Sequence, residues 1–117
     1  MPPRDWPGRL SDMIESAERI VRYTAELSFE EFVASDLTVD AVLRHICLLG
    51  EAARYVPDEV AQACRDIPWP QIRAMRNFVV HVYHAIRLET VWATATLDVP
   101  ALIEPLRRLL DATGDQP

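Results

Sequence analysis

Arg73-Ala74-Met75-Arg76-Asn77-Phe78-Val79-Val80-His81-Val82-Tyr83-His84 concentrates side chains suited to chemistry on phosphates, and Arg87 follows three residues later. The arginines, histidines, asparagine and tyrosine can all donate hydrogen bonds to phosphate oxygens. A histidine, with an unperturbed pKa of ~6.5, suits a proton shuttle near neutral pH. A forked guanidinium of fixed charge suits the negative charge that develops on a phosphorus centre. On a helix turning about 100° per residue, Ile72, Ala74, Met75, Phe78, Val79, Val82, Ala85 and Ile86 fill one arc. Arg73, Arg76, Asn77, His81, Tyr83, His84 and Arg87 fill the other, interrupted only by Val80.

Two readings of that polar arc compete: a solvated helix face and a functional site. Solvated faces are usually built from Glu, Lys and Gln, and this arc contains no carboxylate. A metal site is a separate question. His81 and His84, three apart on one helix, have a spacing that can chelate a metal. No Asp, Glu or Cys shares their arc, and the flanking arginines repel a cation, so neither a metal nor a cofactor is expected. His45 stands alone and reads as structural or surface.

The elements that must position this segment read as helices. Only three glycines occur, and no stretch shows strand alternation between turn residues. From Arg9 to Leu27, apolar residues recur at Leu10, Met13, Ile14, Ala17, Ile20 and Val21, the stripe of an amphipathic helix, with Ser11 as a loose capping signal. Ser28 followed by Glu31 forms a capping box for a short helix at Phe29–Ala34. Thr38 is the expected cap of a long helix to about Tyr55, which Pro57 ends. A short helix is expected over Asp58–Arg65 with Pro57 in its first turn. Ile67-Pro68-Trp69-Pro70 cannot continue it, and a new helix is expected from about Pro70 to Ala85. Helices over Glu89–Leu97 and Pro100–Ala112 complete the chain, with Asp98 as the cap between them and Pro105 as a kink position. Trp69 and Trp92 read as packing residues. Four main helices with short linkers predict an all-α, up-and-down bundle.

Composition narrows the function classes. The chain has 117 residues, enough for one domain. No apolar run approaches the ~20 residues of a membrane span, and the Met-Pro-Pro-Arg start lacks the apolar region of a signal peptide, so a cytoplasmic protein is expected. Cys47 and Cys64 form no CxxC pair and read as small buried apolar residues. The net charge of −6 argues against a surface that is nucleic-acid-binding throughout. The charge is uneven, however: residues 1–40 hold nine acids against four arginines, whereas residues 65–88 hold four arginines against Asp66 alone.

Arg76-Asn77-Phe78-Val79-Val80-His81-Val82-Tyr83 resembles the R-x4-H-x-Y motif of the HepT-like branch of the HEPN (higher eukaryotes and prokaryotes nucleotide-binding) superfamily. Arg9-Leu10-Ser11-Asp12-Met13, Phe32, Asp40-Ala41-Val42, Leu49-Gly50-Glu51-Ala52-Ala53, Ile67-Pro68-Trp69 and Val91-Trp92 extend the resemblance over about residues 9–112. It implies one HEPN-like domain over residues 1–117, an antiparallel bundle of four main helices with additional short ones. It also implies a homodimer whose motif helices meet, so that two copies of Arg76 and His81 form a composite catalytic cleft. The implied activity is that of the toxin in a type VII-like toxin–antitoxin pair, a metal-independent endoribonuclease. The implied partner is a minimal nucleotidyltransferase antitoxin that transfers AMP from ATP to Tyr83.

Arg76 and His81 lie about 140° apart on the wheel with a rise of ~7.5 Å, so one helix does not easily aim both at one phosphate. Supply across a two-fold axis eases that. Arg73, His84 and Arg87 are the expected RNA contacts, and Asn77 and Glu51 the supporting residues. Asn77 also reads as a plain exposed asparagine, and Glu51, which resembles a family acid, as a structural or surface glutamate. The competing reading of the whole protein is a non-catalytic helical dimer that serves as binding partner and AMP acceptor of the nucleotidyltransferase.

Overall fold

The computed structural model describes residues 6–77 and 87–114. Helix α1 spans Trp6–Thr24 and buries Leu10, Met13, Ile14, Ala17 and Ile20, the predicted stripe. It starts three residues before the expected Arg9, with Pro7 in its first turn, where a proline's missing N–H costs nothing. Ser11 therefore lies within the helix and caps nothing. Helix α2, Phe29–Val33, carries the expected capping box: the Glu31 amide donates to Ser28 Oγ at 3.1 Å, and the Ser28 amide donates to Glu31 Oε1 at 2.9 Å.

Helix α3, Asp36–Ala53, begins earlier than expected. Its cap is Ser35, whose Oγ accepts from the Thr38 amide at 3.2 Å, and Thr38 itself sits in the first turn. Both residues can cap, and the hydroxyl further upstream takes the role. Val39, Val42, Leu43, Ile46 and Leu49 face inward against α1. Helix α4, Asp58–Ala63, has Pro57 at its cap position rather than inside its first turn, and it stops two residues before Arg65 because Cys64 leaves helical geometry. The Cys64 carbonyl instead accepts from Trp69 Nε1 at 3.2 Å.

The helix expected from Pro70 to Ala85 is not uniform. Helix α5 covers Trp69–Ala74, and the chain then tightens into a 3-10 turn over Met75–Asn77. The stretch Phe78–Ile86 lies outside the described residues. Beyond it, helix α6, Leu88–Ala93, runs into a π-helical turn over Thr94–Asp98, and helix α7, Pro100–Gly114, follows. Asp98 thus caps nothing. The Val99 amide donates to the Thr94 carbonyl at 2.9 Å, the i→i+5 spacing. Pro100 has no amide for an ordinary helical bond and its ring crowds the preceding turn, so the widened register lets the chain pass without stopping. Pro105 lies inside α7, as expected.

Among the described residues the fold is entirely helical, with α1, α3 and α7 as long members and short helices around them. The core is one cluster. Phe32 is fully buried with its ring 5.1 Å from that of Trp92, Trp69 is buried, and Val91, Val99, Leu102 and Leu106 are buried in the same cluster. An Arg107–Glu18 ion pair ties α7 to α1. Cys47 and Cys64 are free, as expected, but half-buried rather than buried. No helix among the described residues is long and apolar enough to cross a membrane.

Candidate functional site

Arg76 sits in the 3-10 turn where the chain presses closely on α3. Gly50 makes that approach possible. A β-carbon at Gly50 would lie 2.5 Å from the Arg76 amide nitrogen, 2.8 Å from the Ile72 carbonyl oxygen and 3.2 Å from the Arg76 Cα. These neighbours are backbone atoms, which cannot rotate aside as a side chain can. A glycine in a helix interior costs about 1 kcal/mol relative to alanine, and here it is compensated by close packing. One residue-turn earlier on α3, the Cys47 thiol donates to the Arg76 carbonyl at 3.5 Å. That carbonyl therefore has a tertiary partner at the point where the α-helix gives way to the tighter turn.

The Arg76 side chain, about 40% exposed, leaves this anchored backbone toward Glu51, with Nε 3.9 Å from Oε1. Arg54 meets the other carboxylate oxygen of Glu51 at 3.5 Å. Glu51 thus stands between two guanidiniums. At such exposure each pair contributes little to stability, about 0–1 kcal/mol, and its more important effect is orientation. The acid places a guanidinium at the surface beside α3 and, at 3.9 Å, pairs with it only loosely. Asn77, next to Arg76, is exposed.

Arg73 is placed differently from its neighbour. Its Nε donates to the Ala53 carbonyl and its Nη2 to the Val56 carbonyl, both at 3.4 Å, and Asp58 lies 3.7 Å away. It therefore caps the carboxyl end of α3, where the helix leaves carbonyls unsatisfied and favours a cation. Arg87 is exposed just before α6. His81, Tyr83 and His84 lie outside the described residues. His45 is half-buried between α1 and α3, with Nδ1 3.4 Å from Ser16 Oγ and its ring 5.7 Å from that of Tyr23. Burial, with the nearby charges of Arg19 and Arg44, pushes its pKa below the ordinary histidine value. Among the described residues no group of three His, Cys, Asp or Glu converges as a metal site.

The sequence marks Glu51 only as a supporting residue, without its arginine partners, and gives no part to Gly50 or Cys47. A lone glycine inside a helical pattern was the available signal, since such a residue often has a packing reason.

An all-helical bundle that offers an anchored arginine at its surface is a class with many functions. Comparison with known proteins narrows it. The model of the HepT-like ribonuclease family matches residues 13–109, and the chain belongs to that family. A probable ribonuclease HepT of Thermococcus cleftensis is 32% identical over 102 residues, covering 85% of this chain and 93% of that protein. A putative RNase of Methanocaldococcus jannaschii is 28% identical over 110 residues, covering 94% and 91%. Another putative RNase, of Caldanaerobacter subterraneus, is 26% identical over 101 residues, covering 86% and 90%. No solved structure matches the chain significantly.

Proposed function

We propose that this single HepT-like domain is the toxin of a toxin–antitoxin pair and a metal-independent endoribonuclease, with Arg76 and His81 as its catalytic residues in a cleft shared by two copies of the chain. The observation that carries this reading is the mounting of Arg76: a half-exposed guanidinium on a backbone locked against α3, in a chain of a ribonuclease family. RNA carries its own nucleophile. The 2′-oxygen bonds to the adjacent phosphorus, the bond from phosphorus to the 5′-oxygen breaks, and a histidine moves the proton from the 2′-hydroxyl to the leaving oxygen. Arg76 stabilises the charge that gathers on the non-bridging oxygens. Arg87 adds positive charge, and His84 a ring N–H donor, for the RNA backbone. Arg73 adds its charge at longer range, since its N–H groups are engaged by carbonyls at and just after the end of α3. Asn77 and Glu51 support the pair.

Control rests on Tyr83, which on this reading accepts AMP from a minimal nucleotidyltransferase. The adenylate would add an anion and a purine beside the arginines meant for RNA.

The second reading, a non-catalytic dimer that binds the nucleotidyltransferase and accepts AMP, draws on the net charge of −6 and on the carboxylate beside Arg76. Cleavage of RNA by purified protein separates the two. Arg76→Ala and His81→Ala should each reduce cleavage on the order of 100-fold or more while the circular dichroism remains helical, and cleavage should persist in EDTA. Wild-type protein that sediments as a monomer at micromolar concentration would sink the composite cleft. Wild-type protein that cuts no RNA would leave the second reading.

A further inference from the structure

Beside the Arg76 site, helices α1 and α3 enclose a groove of about 310 Å³. That volume is at the lower end of the roughly 300–1,000 Å³ usual for small-ligand sites. The Ser16 hydroxyl lines it, on a residue only 6% exposed, and half-buried His45 lies 3.4 Å away. One side is Tyr55, left 42% exposed although most large apolar side chains are buried, with the Arg9 guanidinium 4.8 Å from its ring centroid. Asp12 and Glu15 bring carboxylates, each within reach of an arginine of its own helix, and Glu51 lines the groove while its Oε1 faces Arg76. The groove therefore starts at the residue that separates it from Arg76.

The chemistry of the lining disfavours a phosphate. Three carboxylates face two guanidiniums, and His45 is held toward its neutral form. It favours instead a flat, neutral ring with donors on its edge. An aromatic ring and an arginine plane are the surfaces on which unpaired RNA bases stack, and carboxylates accept from exocyclic amino groups.

We propose that this groove seats an unpaired RNA base bearing an exocyclic amino group (adenine, cytosine or guanine) in the nucleotide next to the phosphate held at Arg76. The proposal rests on the ribonuclease reading for the identity of the polymer, and on the groove alone for the base. Uracil has no exocyclic amino group, and its single ring N–H donor is flanked by two carbonyl oxygens, so it meets the carboxylates less favourably.

The test is fluorescence anisotropy of the full chain with labelled 2′-O-methyl octamers of A, C and U, which lack the attacking hydroxyl. The A and C octamers should bind more tightly than the U octamer. Tyr55→Ala should weaken the A octamer by roughly 5- to 100-fold and bring it close to the U octamer. Asp12→Asn, a change at an exposed position, should narrow the ratio of A to U affinity. Equal affinity for all three octamers, no binding at all, or a Tyr55→Ala variant that keeps the wild-type preference would each overturn the assignment. So would AMP alone competing as strongly as the A octamer, because the groove would then be a site for free nucleotides. Wild-type protein that binds with the stated preference yet cleaves no natural RNA overturns the ribonuclease reading and supports the groove. Cleavage without any preference at the flanking base does the reverse.

Discussion

Replacing Gly50 by alanine perturbs both the packing of the fold and the aim of Arg76. The new methyl group would stand 2.5 Å from the Arg76 amide nitrogen, whereas ordinary contacts begin at 3.4 Å, so the two backbones must separate by roughly 1 Å. Two opposing contributions set the stability change. Alanine is favoured over glycine in a helix interior by about 1 kcal/mol, while overpacking of this kind costs about 1–3 kcal/mol. The expected net effect is a destabilisation of about 0–2 kcal/mol, which urea denaturation can read. With Arg76 in its proposed role, activity should suffer more than stability, because a displacement of ~1 Å at a catalytic group can cost on the order of 100-fold. RNA cleavage under single-turnover conditions, at a temperature where the variant remains folded, should show that loss. If Gly50→Ala proves more stable than wild type and cleaves RNA at the wild-type rate, α3 and the Arg76 turn are not in the contact described, and the anchoring argument is refuted.

Arg73→Ala should lower stability by about 1–2 kcal/mol, since it removes charge-assisted bonds to the end of α3 and to the turn that follows it; a urea midpoint equal to wild type would show that the cap contributes nothing. His45 should make folding stability depend on pH. Its folded pKa lies below the unfolded value of 6.5, so its contribution is complete above about pH 6.5 and is lost as pH falls through the folded pKa. Thermal melts of His45→Gln should therefore show a shallower loss between neutral and mildly acidic pH than wild type, and parallel curves would contradict the assignment. Tyr83→Phe should take up no AMP from ATP and a partner nucleotidyltransferase, as read by intact mass, while retaining most RNA cleavage; an adduct on the phenylalanine variant would place the acceptor elsewhere.

Much of the architecture was legible in the residue order because its causes are local. The α1 stripe follows from the 3.6-residue helical repeat, and the α2 capping box needs only Ser28 and Glu31 three residues apart. Boundaries were harder to read. Ser35 and Thr38 are both competent caps, and local preference does not decide between two hydroxyls one turn apart. The break expected at Asp98 did not occur, because a π-helical turn can absorb a proline that a uniform helix cannot.

The sequence by itself determined the helical class, the core stripe of α1 and the segment that gathers arginines, histidines and a tyrosine without a carboxylate, because each depends on residue type and spacing along one stretch of chain. Tertiary structure alone decided what neighbouring arginines do. On the wheel Arg73 and Arg76 are two members of one polar arc, yet the end of α3 captures the first as a cap while the second stays half-exposed beside Glu51. That division is set by which carbonyls and carboxylates another helix brings near, and by a glycine that lets the backbones approach, neither of which is encoded in the spacing of the segment itself.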